Sequence, residues 1–270
     1  MDDQPAPMRL GVNWTKADDL PLVRRLIEEG FADYCEILID NFLHVEPHAI
    51  RRAFGDVPLA FHIMHSRFIE RPEGELAFVA QRVRRFIRAL DPMYVSDHLL
   101  RFTVGGRSVA FLPELDYERQ GEVVIDKVRR FQDMLERAVC FENYPSILGS
   151  GRAQPDFFQR LIAETGAGLL FDFSNAVIAQ RNCGVPTSAW APLAGAADHF
   201  HAAGYDFFDG TPAIALDLHG TAVAGDTLDL MAFARAARGG RPLTVTLERD
   251  HNVAYEAWRD DLIRVRSLYA

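Results

Sequence analysis

Apolar runs of six to eight residues recur along the chain, and segments of helical period fill the gaps between them. That alternation constrains the fold more than any single motif. The runs are "RLGVNW" (9–14), "YCEILI" (34–39), "VPLAFHIM" (57–64), "PMYVSD" (92–97), "AVCFEN" (138–143), "GLLFDF" (168–173), "DHFHAAG" (198–204) and "LTVTLE" (243–248). They are apolar, β-branched or aromatic, as buried parallel strands are. Among the intervening segments, "GELAFVAQRVRRFIRAL" sets Leu76, Val79, Ala80, Val83, Phe86, Ile87 and Leu90 on one helical face. Arg82, Arg84, Arg85 and Arg88 fall largely on the other. "EVVIDKVRRFQDMLERA", "QPDFFQRLIAET" and "TLDLMAFARAARGG" repeat the pattern, and "TGAG" and "RGG" supply the glycine expected past a helix C-terminus. No linker or low-complexity stretch divides the 270 residues, about half of which are apolar. Roughly eight strands alternating with roughly eight helices predict one α/β domain over 1–270, a TIM-type (β/α)8 barrel. A doubly wound open sheet competes less well, because no glycine-rich nucleotide-binding motif follows any strand.

In such a barrel the reactive groups gather at the C-terminal strand ends. The second run ends in Ile39, Asp40 and Asn41, with Glu36 inside it. The third carries His62, with His65 just beyond, and the fourth ends in Asp97 and His98. The fifth ends in Glu142 and Asn143, and the sixth gives Asp172 and Asn175, which also reads as an exit turn. The seventh gives His199 and His201, which share a face because strand side chains alternate with period two. A further stretch, "AIALDLHG", offers Asp217 and His219, and the eighth run offers Glu248 and Asp250. So many carboxylates and imidazoles exceed a catalytic dyad and suit a cluster of cations, whose charge makes ionised Asp and Glu tolerable there. A donor set of nitrogen and oxygen without thiolate points to Fe, Mn or Zn. His44, His48 and His251 follow no such pattern and read as surface residues or partners of ligands.

The formal charge of −9, with no dense Lys/Arg stripe, argues against a nucleic-acid partner. Cys35, Cys140 and Cys183 lack CxxC spacing, which fits a reducing compartment and neither a zinc finger nor a disulfide scaffold. Cys35 and Cys140 read as inert core thiols. The start "MDDQPAPMRLGVNW" does not read as a signal peptide, and no apolar run approaches the roughly 20 residues of a membrane helix. A cytoplasmic protein with no membrane partner is expected. The metal-rich rim leaves several functions open: a divalent-metal sugar isomerase or epimerase, a zinc phosphodiesterase, or a non-catalytic peptide-binding barrel. An isomerase needs a lysine-bearing pocket, and Lys16 and Lys127 are expected off the rim. The acidic balance speaks against a DNA substrate, and a binding protein leaves the ligand set unexplained.

The segments "AFHIM", "VSDHLL", "CFENYPS", "GLLFDFSNA", "FHAAG", "LDLHG" and "LERD" come in the order, and near the spacing, of a known group. The chain resembles the multinuclear non-heme iron oxidative enzymes, a barrel family formerly described only as a domain of unknown function. The likeness runs from about residue 9 to 268, and "LGVNWT", "CEILIDNF" and "AFHIMHSRF" are most similar to its methanobactin-biosynthesis branch, the MbnB oxidases. The resemblance implies two or three iron ions of mixed Fe(II)/Fe(III) valence, with dioxygen as co-substrate. It implies oxidation of cysteine residues in a ribosomally synthesised, MbnA-like precursor peptide to oxazolone and thioamide groups that chelate copper. It further implies an MbnC-like partner protein in a heterodimer. Carried over residue by residue, His62, His98 and Glu142 hold one iron. Glu142, Asp172, His201 and Glu248 hold a second, and Asn175, Asp217 and His219 a third. Where the family has Asp-Val-Asn-Asn, this chain has Asp172, Phe173, Ser174 and Asn175, so only the second asparagine is carried over. Asp250 is not needed to complete a shell and is expected to be the general base that takes a proton from the substrate. The insertion "YDFFDGTPAIAL" (205–216) is expected to be a loop with apolar positions exposed to the partner or peptide.

Overall fold

A computed structural model describes residues 8–109, 113–238 and 241–269. In chain order the strands are β1 (Met8–Trp14), β2 (Tyr34–Leu38), β3 (Leu59–Ile63), β4 (Val95–His98), β5 (Thr103–Val104), β6 (Arg107–Ser108), β7 (Cys140–Glu142), β8 (Gly168–Asp172), β9 (His199–Ala203), β10 (Asp206–Phe208), β11 (Ile214–Leu216) and β12 (Leu243–Glu248). The α-helices are α1 (Leu20–Glu28), α2 (Pro47–Phe54), α3 (Glu73–Leu90), α4 (Tyr117–Leu135), α5 (Gln154–Thr165), α6 (Phe173–Cys183), α7 (Ala191–Ala196), α8 (Gly225–Ala237) and α9 (Tyr255–Leu268). Eight strands close into a parallel barrel in the order β1, β12, β9, β8, β7, β4, β3, β2. The expected (β/α)8 architecture is therefore the fold. All eight apolar runs become its staves.

The outward residues of the staves meet the buried helix faces. On α3 these are Leu76, Ala80, Val83, Phe86, Ile87 and Leu90, six of the seven positions read from periodicity. Val79 sits at the edge of the stripe, half-buried. Inside the barrel, Gly11 matters for its missing side chain, because a Cβ there would run into the Tyr34 ring. The lower lumen is thus filled by an aromatic ring from the neighbouring strand.

Two departures from expectation have local causes. Residues after Asp172 form a helix and not a turn, because the Asp172 carboxylate caps α6 by accepting from the Asn175 backbone N–H at 2.6 Å. Helix α4 begins at Tyr117, ahead of the expected segment, where Asp116 accepts from the Arg119 backbone N–H at 3.1 Å. The two antiparallel hairpins, β5–β6 and β10–β11, lie in βα connections and so stand on the C-terminal rim. Residues 205–216 belong to the second hairpin, with Phe207 and Phe208 exposed, in place of a loose loop. Among the described residues, no helix is long and apolar enough to cross a membrane.

The end of β12 is anchored from behind. Arg249 points outward between the two inward carboxylates of the rim and pairs with Asp261 of α9 at 2.6 Å, both side chains 5% exposed. Asp261 also accepts from the Val223 N–H. Replacing Arg249 by Ala removes the buried partner of Asp261 and leaves it the part-exposed Arg264, 3.0 Å from its other oxygen. Chemical denaturation should show a loss of about 1.5–3 kcal/mol, and a loss below about 1 kcal/mol would mean the pair does not hold the strand.

Candidate metal centre

Period-two alternation turns every second strand residue into the lumen, and toward the rim those residues are His62, His98, Glu142, Asp172, His201 and Glu248. Their donor atoms form two groups, each with members within 4.8 Å of one another: His62, His98 and Glu142, and Glu142, Asp172, His201 and Glu248. Glu142 belongs to both. A third group joins His62 and His201 of this layer, at the same spacing, to Glu36 one layer deeper.

His62, His98, His201 and His219 each have one nitrogen engaged away from the carboxylate cluster and the other aimed into it. His62 places Nδ1 2.8 Å from Ser96 Oγ and Nε2 3.5 Å from Glu142 Oε2. His98 places Nδ1 3.3 Å from the Ile63 carbonyl and Nε2 3.2 Å from Glu142 Oε2. His201 places Nε2 2.9 Å from Glu36 Oε1, while its Nδ1 lies 3.0 Å from Glu248 Oε2. His219 places Nδ1 2.9 Å from Asp250 Oδ2 and Nε2 2.8 Å from Asp217 Oδ1. One held and one free nitrogen is the arrangement of metal-binding histidines.

The inward atoms lack ordinary partners. Glu142 Oε2, Asp172 Oδ2, Asn175 Oδ1, His201 Nδ1, Asp217 Oδ1 and His219 Nε2 are buried without a well-aligned hydrogen bond. Such atoms are costly unless a cation meets them. Asn175 is built for this: its Nδ2 donates to Glu142 Oε1 at 2.9 Å and to the Asn143 carbonyl at 3.0 Å, leaving Oδ1 free. Asn143 in turn braces β8, exchanging hydrogen bonds with the Asp172 backbone at 2.7 and 2.9 Å. Residues present therefore fit one or more hard to borderline cations.

Electrostatics tell the same story. Burial, together with the charges of Glu142, Asp217 and Glu248, pushes the Asp172 carboxyl well up. Burial also raises Glu248, against the pull of His201 and His219. Burial would raise Glu142 too, but His98, His201 and His62 outweigh it and hold that carboxyl well below its usual range. Burial lowers His98, yet Glu142 reverses the sign and lifts it to about 9. His201 and His219 are raised likewise, the first by Glu248 and Glu36, the second by Asp217 and Glu248. His62, disfavoured by burial and by the neighbouring His98 charge, falls to about 3. Protons thus stand in for missing positive charge.

Other expected groups fall as follows. Asp217 and His219 come from the segment after β11, and His219 adopts a left-handed backbone with φ 52°, a strained setting for a β-substituted residue. His219 Nε2 is 3.9 Å from Glu248 Oε2, which links this pair to the cluster. Asp250 accepts from Asn13 Nδ2 at 3.1 Å and faces His219 with its other oxygen. Burial raises the Asp250 carboxyl, but the His219 hydrogen bond and charge outweigh it, so the net shift is downward. Asp97 points out of the lumen, where burial pushes it up to about 8. Asp40 accepts from the Met64 N–H, and His65 lies against Phe102. His199 sits one layer below His201, its Nδ1 2.9 Å from Thr244 Oγ1 and its ring stacked on Tyr94. Lys16 reaches the rim after all, donating to the Asp250 carbonyl at 3.2 Å, though it does not line the cavity. Glu36 is absent from the expected ligand set; the available signal was a carboxylate at lumen parity inside an otherwise apolar strand. Above the cluster opens a cavity of about 560 Å³ whose walls include Leu38, Met64, Leu100, Tyr144, Pro145, Ile147, Leu216 and Leu218.

Fold and site together define a (β/α)8 barrel with a rim of buried nitrogen and oxygen donors suited to metal ions. The family model described as "RiPP precursor modification enzyme MbnB/TglH/ChrH" matches residues 9–268, and the chain belongs to this family. Curated relatives carry the description UPF0276 protein. One from Caulobacter vibrioides is 32% identical over 182 residues, spanning 64% of this chain and 63% of that protein. One from Rhizorhabdus wittichii is 29% identical over 231 residues, 82% of this chain and 80% of that protein. Solved structures share the fold at low identity. A xylose isomerase-like TIM barrel protein from Mycobacterium smegmatis in complex with magnesium has TM-score 0.65 at 13% identity, covering 98% of this chain and 96% of that one. A D-allulose 3-epimerase from Methylomonas sp. has TM-score 0.66 at 10% identity, covering 98% of each chain.

Because His98, His201 and His219 hold raised affinities for protons, metal binding near neutral pH must expel them. Calorimetric titration with Zn(II) in buffers of different ionisation enthalpy should show more than one proton released per chain, with affinity rising from about pH 6 to about pH 9. A pH-independent affinity would contradict the geometry.

Proposed function

We propose that this chain is a non-heme di- or tri-iron, dioxygen-dependent oxidase that modifies cysteine residues of a ribosomally synthesised precursor peptide. The product is an oxazolone with an adjacent thioamide, as in methanobactin biosynthesis. Family membership supports the precursor peptide as substrate. The observation that carries the reading is the pair of donor groups sharing Glu142, since a bridging carboxylate between two three- or four-donor sets suits a multinuclear centre. His62, His98 and Glu142 would hold one iron; Glu142, Asp172, His201 and Glu248 a second; Asn175, Asp217 and His219 a third. Bound iron would supply stabilisation of a substrate thiolate and one-electron exchange with dioxygen.

The chain's own residues do the rest. Leu38, Met64, Leu100 and Ile147 exclude water around the entering cysteine, which strengthens every charge interaction beneath it. Asn175 fixes the Glu142 carboxylate through its amide. Asp250, at the cavity wall above His219, is the base that takes a substrate proton, its side chain 39% exposed and within reach of the cavity. An MbnC-like partner protein, forming a heterodimer, is assigned to the rim beside the β10–β11 hairpin, where Phe207 and Phe208 are 51% and 62% exposed. Three free thiols, two of them buried, fit action in the cytoplasm.

Protein purified without oxygen should carry two or more irons per chain and develop a thiolate-to-ferric absorption band when a cysteine peptide is added. Stoichiometric zinc or manganese, with sugar isomerisation, would overturn the reading. Asp250→Ala should lower product formation by about 10²–10⁴-fold while iron at the two Glu142-sharing groups is retained; wild-type product formation would remove Asp250 from its role.

A further inference from the structure

Glu36 lies in the middle of β2, 1% exposed, one layer below the donor cluster. Two of its contacts are to hydroxyls of the barrel floor: Tyr94 donates a short hydrogen bond to Oε2, and Thr246 Oγ1 donates to the same oxygen at 3.1 Å. Tyr34 closes the set from behind, its hydroxyl 2.7 Å from Thr246 Oγ1. The third contact is His201, whose Nε2 lies 2.9 Å from Glu36 Oε1 and 3.0 Å from Oε2. The imidazole is 0% exposed, so no water competes for that nitrogen.

We infer that Glu36 is a positioning residue that holds the proton on His201 Nε2, so that Nδ1 is the atom His201 presents to the metal. This rests on the metal-centre reading given above. Three features carry it. Nε2 is bracketed by both oxygens of one carboxylate, whereas Nδ1 is buried, lacks a well-aligned hydrogen bond and faces Glu248 and Glu142 at 3.0 and 3.8 Å. The carboxylate cannot swing away, because the Tyr94 and Thr246 hydroxyls also fix Oε2, the oxygen that is hydrogen-bonded to His201 Nε2. Direct ligation by Glu36 together with His62 and His201 would compete with the site above, since His62 keeps Nδ1 on Ser96 and turns Nε2 toward Glu142. A carboxylate behind a ligating imidazole fixes its tautomer and raises its basicity, and its loss costs about 10–100-fold in metal affinity.

The arrangement also explains why this floor is polar. A barrel floor is ordinarily filled by branched aliphatic residues. Here two tyrosines and a threonine stand in it: Tyr94 and Thr246 donate to the Glu36 oxygen that meets His201, and Tyr34 braces Thr246 behind them.

The test is the full-length chain stripped of metal and titrated with Zn(II) alone, read by imidazole ¹⁵N NMR and calorimetry. In the wild type, His201 should show a metal-shifted Nδ1 and a retained, slowly exchanging Nε2 proton. Glu36→Gln should weaken binding at the Asp172–His201–Glu248 site by about 10–100-fold and leave the His62–His98 site unchanged. Tyr94→Phe, which frees the carboxylate without removing it, should give a smaller loss in the same direction and serves if Glu36→Gln does not fold. A metal-shifted Nε2 in the wild type, or wild-type affinity at both sites in Glu36→Gln and Tyr94→Phe, would overturn the assignment. Failure of the wild type to bind Zn(II) at all would instead overturn the metal-centre reading beneath it.

Discussion

Carboxylates from four separate elements are gathered beneath one cavity at the barrel mouth, three of them with donor atoms within 4.8 Å of one another, and that crowding is the constraint the molecule is organised around. Asp172, Glu142 and Glu248 arrive from β8, β7 and β12, and Asp217 from the segment after β11. In the absence of a cation their repulsion is relieved by protonating some of them and by charging imidazoles. The upward shifts of Asp172, His201 and His219 record that compromise. A multiply charged cation replaces several protons at once, without the burial penalty falling on any one side chain.

Rigid supports keep the groups in place despite the repulsion. The Asp172 carboxylate is tied down twice over: one oxygen caps α6, and its backbone is clamped by Asn143. Ser174, the second residue of α6, exchanges hydrogen bonds with the Ala203 backbone at 2.8 Å and so fixes the helix to β9. Glu248 is held by Arg249 reaching outward to α9. These supports lie on strands and helix starts, which position a site more accurately than loops do. The exception is Asp217 and His219, on irregular backbone beside the second hairpin.

Much of this was legible in the sequence. Eight apolar runs ending in polar residues gave the barrel and its rim, because burial on both faces makes parallel strands read as continuous apolar segments. The same periodicity placed His201, Glu248, Glu142 and Asp172 on one surface. What escaped was set by features with no one-dimensional signature. The helix after Asp172 depends on a side chain capping the backbone three residues on, in a stretch that also satisfies a turn. The hairpin at 206–216 depends on pairing between two short strands, which composition does not announce. Glu36 was visible but not weighed, since a carboxylate inside an apolar strand acquires meaning only when His201, 165 positions away, is seen against it. Lys16 reached the rim for a similar reason: its place depends on the register of β1 against β12.

The proposed chemistry depends on the identity and place of the cations more than on any residue taken singly. Anomalous X-ray diffraction across the iron edge, on crystals grown from protein purified without oxygen, tests this most directly. The account predicts separate iron peaks between His62, His98 and Glu142 and between Glu142, Asp172, His201 and Glu248, with Glu142 touching both. No anomalous density at the rim after iron loading, or density confined to another face of the barrel, would contradict it.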